Sequence, residues 1–258
     1  MVQVYWLEQA EADVPAPHDW LAPGEQARLK GFRFLKRRMD WLLGRWTAKT
    51  ALAAHLDLPG HAASLAGIEI RQAPSGAPQA LIGNQPASVV ISLSHRAGQA
   101  ICAVAPLGAA LGCDLEVVEP RNHAFVADYF APEEQDRVAR APEADRPRVA
   151  TLIWSAKESA LKALETGLRL DTRSVIVSLD EEVKPADVSE DHEGSLPAGN
   201  ASGGIEWQPC RVRHQAGREF QGWWRRTGHV LRTVVSDPEP DQPIRLSFTP
   251  SGPSFARS

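Results

Sequence analysis

The spacing of apolar residues divides the chain into strands and helices in a definite order. Residues 2–7 alternate well enough between apolar and polar positions to predict a strand. Residues 35–56 place Met39, Leu42 and Trp46 at three- and four-residue intervals, which predicts a long helix with one buried face. Four short strands are predicted after it, at residues 68–73, 88–94, 100–105 and 109–118.

A similar succession of elements returns in the second part of the chain. One helix is predicted to begin at Pro132, and a second, longer helix is predicted to end at Gly167. Strands are then predicted at residues 174–179, 205–213, 219–224 and 229–235. This order predicts an α+β fold built from two halves of similar plan.

The predicted boundary between the halves lies near residue 116, so the domains are residues 1–116 and 117–236. Residues 184–204 are polar and rich in glycine, proline and serine, which predicts a surface loop inserted into the second half. Residues 237–258 are predicted to form a mobile tail outside the core.

Composition and charge exclude several classes of protein. A net charge of −4 excludes a generally basic nucleic-acid binder. The three cysteines lie far apart and form no CxxC pair, so we expect no disulfide framework and a reducing, cytoplasmic setting. The N-terminus has no signal-peptide pattern, and no stretch approaches 18 consecutive apolar residues, so no membrane partner is expected.

Two carboxylates in the sequence GCDLE are the first candidates for chemistry. Asp114 and Glu116 are two residues apart in a predicted strand, so both side chains leave the same face. Such a pair repels itself unless a cation lies between the carboxylates, and hard oxygen ligands suit Mg²⁺. The alternative is that the strand has reached its exposed end, where acidic residues are ordinary.

The helical sequence WSAKESALK also carries charged side chains among small and apolar residues. Trp154 and Glu158 lie on one face, and Glu158 and Lys162 are i, i+4 neighbours. They form either the edge of an active site or a surface ion pair that contributes about 0.3–0.5 kcal/mol.

Two further segments carry candidate phosphate ligands. The sequence SLSH ends a strand with Ser94 and His95, which form either a phosphate contact or a solvated turn. A Ser–His hydrolase is disfavoured because adjacent side chains on a strand point to opposite faces and no GxSxG turn is present. The basic residues of segment 28–49 are either a solvated helix face or a site for phosphates or an acidic partner.

Taken together and in this order, RRMDWLLGR, RQAPSGAP, SLSH, GCDLE and WSAKESALK resemble the surfactin-type (Sfp-type) 4′-phosphopantetheinyl transferases. The resemblance runs from about residue 5 to residue 235. It implies two α/β halves related by pseudo-twofold symmetry, with the active site and coenzyme A in the cleft between them. The implied reaction moves 4′-phosphopantetheine from coenzyme A to a serine of an apo acyl, peptidyl or aryl carrier protein and releases 3′,5′-ADP. A monomer is expected to suffice.

The resemblance also implies a role for individual residues. Asp114, Glu116 and Glu158 are similar to the metal-binding acids, for Mg²⁺ or Mn²⁺, and Glu158 also to the catalytic base. Lys162 is similar to a lysine that meets the coenzyme A phosphates and, with Glu158 and Asp114, completes the implied catalytic set. The implied coenzyme contacts are Arg38, Arg45, Arg71, Ser94, His95, Lys157 and Lys162, with Lys157 the more structural of the two lysines.

One position departs from the family pattern. The family usually shows GKP where this chain has Gly76-Ala77-Pro78, so a cation near the coenzyme is missing. Two rival functions stay open at this point: a non-catalytic module that binds coenzyme A or a carrier protein, and a Mg²⁺-dependent phosphohydrolase acting on a nucleotide. A carrier partner is expected to dock through basic residues of segment 28–49 or of the second half, with Phe125, Tyr129 and Phe130 in the contact.

Overall fold

The fold was examined in a computed structural model that describes residues 1–179 and 206–251. It is a mixed α+β fold, as predicted, with three sheets in the described part of the chain. The predicted loop 184–204 lies outside the described residues. No helix in the two described ranges is long and apolar enough to cross a membrane.

Six α-helices and twelve strands make up the described ranges. The helices are α1 (Pro23–Leu29), α2 (Leu35–His55), α3 (Ala62–Ala66), α4 (His123–Tyr129), α5 (Pro132–Arg140) and α6 (Arg146–Ala163). The strands are β1 (Tyr5–Ala10), β2 (Ile68–Gln72), β3 (Pro78–Ile82), β4 (Gln85–Pro86), β5 (Val89–Arg96), β6 (Gln99–Pro106), β7 (Ala110–Val117), β8 (Val175–Leu179), β9 (Gln208–His214), β10 (Glu219–Thr227), β11 (Val230–Asp237) and β12 (Ile244–Arg245). The sequence pattern missed β3, β4, β12, α3 and α4, which are all short.

The first half is organised around α2. A four-stranded sheet with the order β12-β1-β6-β5 packs against this helix, and a small β2-β3-β4 sheet lies beside it. Leu42, Trp46 and Leu52 of α2 are fully buried in the core of this half. The face predicted from their spacing is therefore the one that packs.

The second half is organised around α6. Its five-stranded sheet has the order β7-β11-β10-β9-β8, and α6 packs across β7 and β11. Leu152, Ala156 and Leu161 of α6 lie in the core of this half. The helix ends at Ala163 and not at the predicted Gly167, which instead opens a short 3₁₀ turn, Gly167–Arg169.

The sheet topology moves the boundary between the halves. Strand β7 pairs with β11 along its whole length, from Ala110 opposite Asp237 to Val117 opposite Val230. Residues 110–116 therefore belong to the sheet of the second half, although the predicted boundary placed them in the first. The chain passes between the halves in the turn between β6 and β7.

The predicted mobile tail is wrong for the residues described. After β11 the chain returns to the first half, where β12 pairs in parallel with β1. Leu246 and Phe248 then pack on the core around α2, and the ring of Phe248 meets that of Trp46 at 5.9 Å. The polar composition of the tail concealed these two apolar anchors.

Both halves contain the same buried lysine–glutamate arrangement. Glu25 of α1 receives Lys49 of α2 at 2.5 Å, and Glu134 of α5 receives Lys157 of α6 at 2.7 Å. Each glutamate also accepts a hydrogen bond from the residue before its helix, Ala22 or Ala131. Glu25 reaches the Ile70 amide of β2, and Glu134 reaches the Val177 amide of β8.

This arrangement has a sequence signal, which the spacing analysis missed. Residues 22–28 read APGEQAR and residues 131–137 read APEEQDR, while residues 46–49 read WTAK and residues 154–157 read WSAK. The two halves thus share short motifs as well as a similar order of elements.

Candidate active site

The site forms where α6 lies directly on β7, and Gly112 permits that approach. A methyl group on Gly112 would lie 2.6 Å from the carbonyl carbon of Ser159 and 3.0 Å from the amide nitrogen of Ala163. Real carbon–carbon contacts are about 3.5–4.0 Å. A glycine is therefore required here for α6 to reach the strand that carries Asp114 and Glu116.

Asp114 is the most enclosed member of the site. It is 4% exposed, which excludes the alternative of an exposed strand end. Its Oδ1 accepts hydrogen bonds from Ser94 Oγ and Lys162 Nζ, each at 2.8 Å, and its Oδ2 accepts one from Ser155 Oγ at 2.8 Å. β5, β7 and α6 thereby meet at one carboxylate.

A buried hydroxyl cluster supports this arrangement from below. Thr233 Oγ1 of β11 lies 2.9 Å from Ser155 Oγ and 2.6 Å from Ser159 Oγ. These three side chains are fully buried. Small hydroxyl residues at these positions let α6 pack closely and also satisfy polar atoms in the core.

Lys162 binds the strand and not its helical neighbour. Its ammonium donates to Asp114 at 2.8 Å and to the carbonyl of Cys113 at 2.9 Å. No Glu158–Lys162 ion pair within 4.0 Å is present in the described structure, so the surface-pair alternative is not what the fold contains. Burial is the largest single influence and lowers the pKa of Lys162, but Asp114, Cys113 and Glu158 together hold the net pKa above its usual value.

Glu116 lies at the other side of Asp114. Its Oε1 accepts from the indole of Trp154 at 3.2 Å, and its Oε2 lies 3.3 Å from Arg121 and 3.6 Å from Arg96. Burial and the charge of Asp114 raise the pKa of Glu116, although the two arginines oppose the change. This carboxylate is held in place from three directions.

Glu158 differs from the other two carboxylates because it has no hydrogen bond to any residue in the described ranges. Burial raises its pKa, Lys162 opposes this, and Asp114 and Glu116 raise it further. A partly buried carboxylate with a raised pKa and free lone pairs is suited to accept a proton near neutral pH.

The three acids fit a hard divalent cation in their chemistry. Glu116 and Glu158 both have a raised pKa, and the charge of Asp114 contributes to each shift. Carboxylate oxygens are the ligands that Mg²⁺ takes, and each carboxylate has about four lone-pair positions, so the present partners leave some free. As the described side chains stand, no three acids, histidines or cysteines are gathered closely enough to enclose an ion.

The candidate phosphate ligands of the first half fall into two groups. Burial lowers the pKa of His95, Asp40 raises it, and Lys162 and Lys36 lower it, so its ring lies among charges from both α2 and α6. Ser94 is bonded to Asp114. Arg45 is turned inward instead, 3.6 Å from Glu25 and 5.0 Å from the Trp41 ring.

A cavity of about 740 Å³ lies between the halves. The three acids, Ser94 and His95 are not among the described residues that line it. Its walls come from the turn before β3, from β5, from the start of β7 and from the C-terminal end of α6 with the 3₁₀ turn that follows. Lys162 lines it directly. A volume of this size is typical of a small-molecule site.

Comparison with known proteins agrees with the geometry. The model of the 4′-phosphopantetheinyl transferase superfamily matches residues 110–219, which include β7 and α6. The match covers 110 of the 258 residues and shows what the chain is similar to over those elements.

A curated protein with the same description is also similar. The "Putative 4′-phosphopantetheinyl transferase" of Synechocystis sp. (strain ATCC 27184 / PCC 6803 / Kazusa) is 24% identical over 181 residues, which are 63% of this chain and 70% of the relative.

Two of the predicted coenzyme contacts are bound to other groups of the protein. Lys157 is fully buried, and it donates to Glu134, to the Thr172 carbonyl at 2.8 Å and to the Val175 carbonyl. It is a structural residue with no path to a ligand. Arg71 is exposed and paired with Glu69 at 2.6 Å, and it is not among the described residues that line the cavity.

Neither interpretation of the basic residues of segment 28–49, a solvated face or a phosphate or partner site, holds for Lys49. Lys49 is fully buried and donates to the carbonyls of Trp20 at 3.0 Å and Leu65 at 3.1 Å, besides its pair with Glu25. Arg38, by contrast, is only partly buried and remains accessible to a ligand. Helical spacing alone cannot separate a buried cation from an exposed one.

The candidate site includes residues that sequence spacing missed. Arg121 and Ser155 contact the carboxylates, and Thr233 contacts Ser155, yet each is an ordinary residue in its own element. For Ser155 the signal was the run of small residues around Glu158, which indicated close packing. Nothing in the sequence pointed to Arg121 or Thr233.

Proposed function

We propose that this protein is a transferase that moves the 4′-phosphopantetheine group of coenzyme A to a serine hydroxyl of an apo acyl, peptidyl or aryl carrier protein. The observation that carries the proposal is the contact of Asp114 with Ser94, Ser155 and Lys162, beside two further acids and a cavity between the halves. The superfamily match over the same elements supports it.

The cavity and its neighbouring charges support coenzyme A as the ligand. Lys162 lines the cavity. The His95 ring lies close enough to Lys162 for the ammonium charge to lower the pKa of the imidazole. Cations and imidazoles of this kind bind phosphate oxygens through charge-assisted hydrogen bonds. We also propose that the two halves are related by pseudo-twofold symmetry, which the repeated Glu25–Lys49 and Glu134–Lys157 pairs support.

The chemistry divides among residues of α6 and β7. Glu158 accepts the proton of the carrier serine hydroxyl, since its carboxylate has a raised pKa and no competing hydrogen bond in the described ranges. The serine oxygen then bonds to the β-phosphorus of coenzyme A as the pyrophosphate P–O bond breaks. The leaving oxygen keeps the electron pair and departs as 3′,5′-ADP, with its charge offset by Lys162.

Asp114 keeps Lys162 charged and in place. The hydrogen bond between them is 2.8 Å long, and Asp114 also raises the lysine pKa. Ser94 and Ser155 fix the carboxylate on either side. Asp114, Glu116 and Glu158 would together hold Mg²⁺ or Mn²⁺, and such an ion supplies Lewis-acid neutralisation of the pyrophosphate charge when bound.

The surface proposed for the carrier protein is the start of α2. Phe34 is 69% exposed and Leu35 is 73% exposed, and the cations Arg33, Lys36 and Arg37 surround them. Exposed apolar side chains within a basic surface suit an acidic partner. Of the earlier candidates, Phe130 is fully buried and Arg148 is nearly so, so neither is available for contact.

The test is carrier loading followed by mass spectrometry. An apo carrier incubated with the protein, coenzyme A and Mg²⁺ should gain the mass of one phosphopantetheine. Asp114→Ala and Glu158→Gln should each reduce the rate by at least about 100-fold, because general acid–base and electrostatic contributions are each of that size. Near wild-type rates in either variant at saturating Mg²⁺ would refute the assignment.

The same assay separates the rival functions. A binding module would retain coenzyme A without any mass shift, and a phosphohydrolase would consume it without an acceptor protein.

A further inference from the structure

The cavity between the halves has an uneven distribution of charge. Among the described residues that line it, the ionisable ones are Lys162, Glu165 and Arg169. All three belong to the second half. Lys162 is already engaged with Asp114, so Arg169 is the cation with spare hydrogen-bonding capacity.

The first half contributes a neutral turn to the same cavity. Residues 73–78, with the sequence APSGAP, carry no charged side chain. The turn is closed by the Ala73 amide, which donates to the Ala77 carbonyl at 2.9 Å. Gly76 has a φ of 98°, which favours glycine and fixes the path of the chain at this point.

Arg169 reaches across the cleft to this turn. Its Nη2 donates to the Ser75 carbonyl at 2.8 Å, and its Nε donates to the Thr166 carbonyl at 3.3 Å. A guanidinium has five N–H donors, so about three are left for a ligand. The side chain is exposed, and the bond to Ser75 holds its charge at the wall formed by Gly76 and Ala77.

We propose that Arg169 binds a phosphate group of the co-substrate in this cavity and supplies, from the second half, the cation that the turn lacks at Ala77. The inference rests on the proposed function, because that function places a phosphorylated co-substrate in the cleft. An arginine is suited to the task because its planar guanidinium binds two phosphate oxygens at once and stays charged at any working pH.

The alternative is that Arg169 only ties the two halves together through the Ser75 carbonyl. The two roles differ in what they predict for a ligand that carries phosphates but no pantetheine arm. A purely structural tie would change the melting temperature and leave the affinity for such a ligand unchanged. A phosphate contact would change the affinity and make it depend on charge.

The test is calorimetric titration with 3′,5′-ADP as the probe. Arg169→Ala should raise its Kd about tenfold, the loss of one charge-assisted contact in a partly exposed site. Arg173→Ala is the matched control, because Arg173 is an exposed arginine nearby in sequence that pairs with Asp171 at 3.0 Å and does not line the cavity. It should change the Kd less than about twofold.

A second variant tests whether the charge itself matters. Adding Ala77→Lys to Arg169→Ala should restore most of the lost affinity, because the new ammonium would enter from the turn that Arg169 now covers. The proposal is overturned if Arg169→Ala binds 3′,5′-ADP as the wild type does, or if Ala77→Lys recovers nothing.

These outcomes are distinguishable from failure of the proposed function. A chain that binds 3′,5′-ADP through Arg169 but never loads a carrier would refute transfer and leave this inference standing. A chain that loads a carrier with unchanged affinity in Arg169→Ala would overturn this inference alone. Wild-type protein that binds no 3′,5′-ADP would overturn both.

Discussion

Gly112→Ala should uncouple the two elements of the candidate active site while leaving every proposed reacting side chain in the sequence. The added methyl would lie 2.6 Å from the carbonyl carbon of Ser159, against an ordinary contact of about 3.5 Å, and still closer to the carbonyl oxygen, so α6 must move from β7 by at least about 0.9 Å. If the side chains do not compensate, the Lys162–Asp114 bond of 2.8 Å then stretches to about 3.7 Å or more, which is beyond hydrogen-bond distance.

The expected consequence is a loss of rate larger than the loss of stability. A misplacement of about 1 Å can reduce a rate by about 100-fold, whereas overpacking a core costs about 1–3 kcal/mol. At about 2–4 °C per kcal/mol, the melting temperature should fall by about 2–12 °C. The assay is carrier loading at a temperature well below the melting points of both proteins, with circular dichroism to confirm folding.

Gly44→Ala is the matched control because no atom outside its own helix lies within 4 Å of the added methyl. It should keep wild-type activity and raise stability by as much as about 1 kcal/mol, the helix propensity gained by replacing glycine. If Gly112→Ala folds, melts about 2–12 °C lower and still loads a carrier within about threefold of the wild-type rate, close contact between α6 and β7 does not position the site.

Three further outcomes are expected. Mg²⁺ should raise the melting temperature of the wild type more than that of Glu158→Gln, and metal-free Glu158→Gln should melt higher than the wild type at neutral pH. The reason is that burial and the neighbouring carboxylates raise the pKa of Glu158 in the folded protein. Its ionisation therefore opposes folding as the pH rises from an ordinary carboxylate pKa of about 4.3 to the raised folded value. Equal Mg²⁺-induced shifts of the melting temperature in the two proteins would contradict this prediction. Urea unfolding should show that Lys157→Met costs about 3–5 kcal/mol by leaving Glu134 buried without its cation, and that adding Glu134→Gln returns much of it. Carrier loading should slow as ionic strength rises if the basic start of α2 steers the partner, and a rate independent of salt would count against that surface.

The sequence predicted the parts of the fold that depend on local periodicity. α2 and α6, which carry the apolar faces of the two cores, were predicted within a few residues of their observed ends. Short elements were missed because two to seven residues carry too few repeats of either period to stand out. The returning chain at β12 was missed for another reason: its pairing partner, β1, lies more than 200 residues away.

Site residues divide in the same way. The carboxylates of β7 and the charged pair of α6 were found because two motifs kept a characteristic spacing. Their contacts could not be predicted, since the Lys162–Asp114 bond depends on how closely a helix settles on a strand, and that depends on Gly112, Ser155 and Ser159 together. Spacing shows which side chains share a face, and packing decides which of them meet.

The two lysines of WSAKESALK give α6 both a structural role and a role in the proposed chemistry. Lys157 repeats Lys49 of the first half: each is buried and each joins a glutamate that caps a neighbouring helix. That repeated pair fixes the rotation of the helix against its neighbours, because a fully buried ammonium must face its acceptors.

Once the rotation is fixed, the residues one and five positions after the buried lysine face the neighbouring strand. In α2 those positions are Thr50, which bonds Gln9 at 2.9 Å, and Ala54. In α6 the equivalent positions are Glu158 and Lys162, the two charged groups of the proposed chemistry. A buried lysine common to both halves therefore orients each helix, and the two positions that carry an uncharged side chain in α2 carry the charged groups of the proposed chemistry in α6.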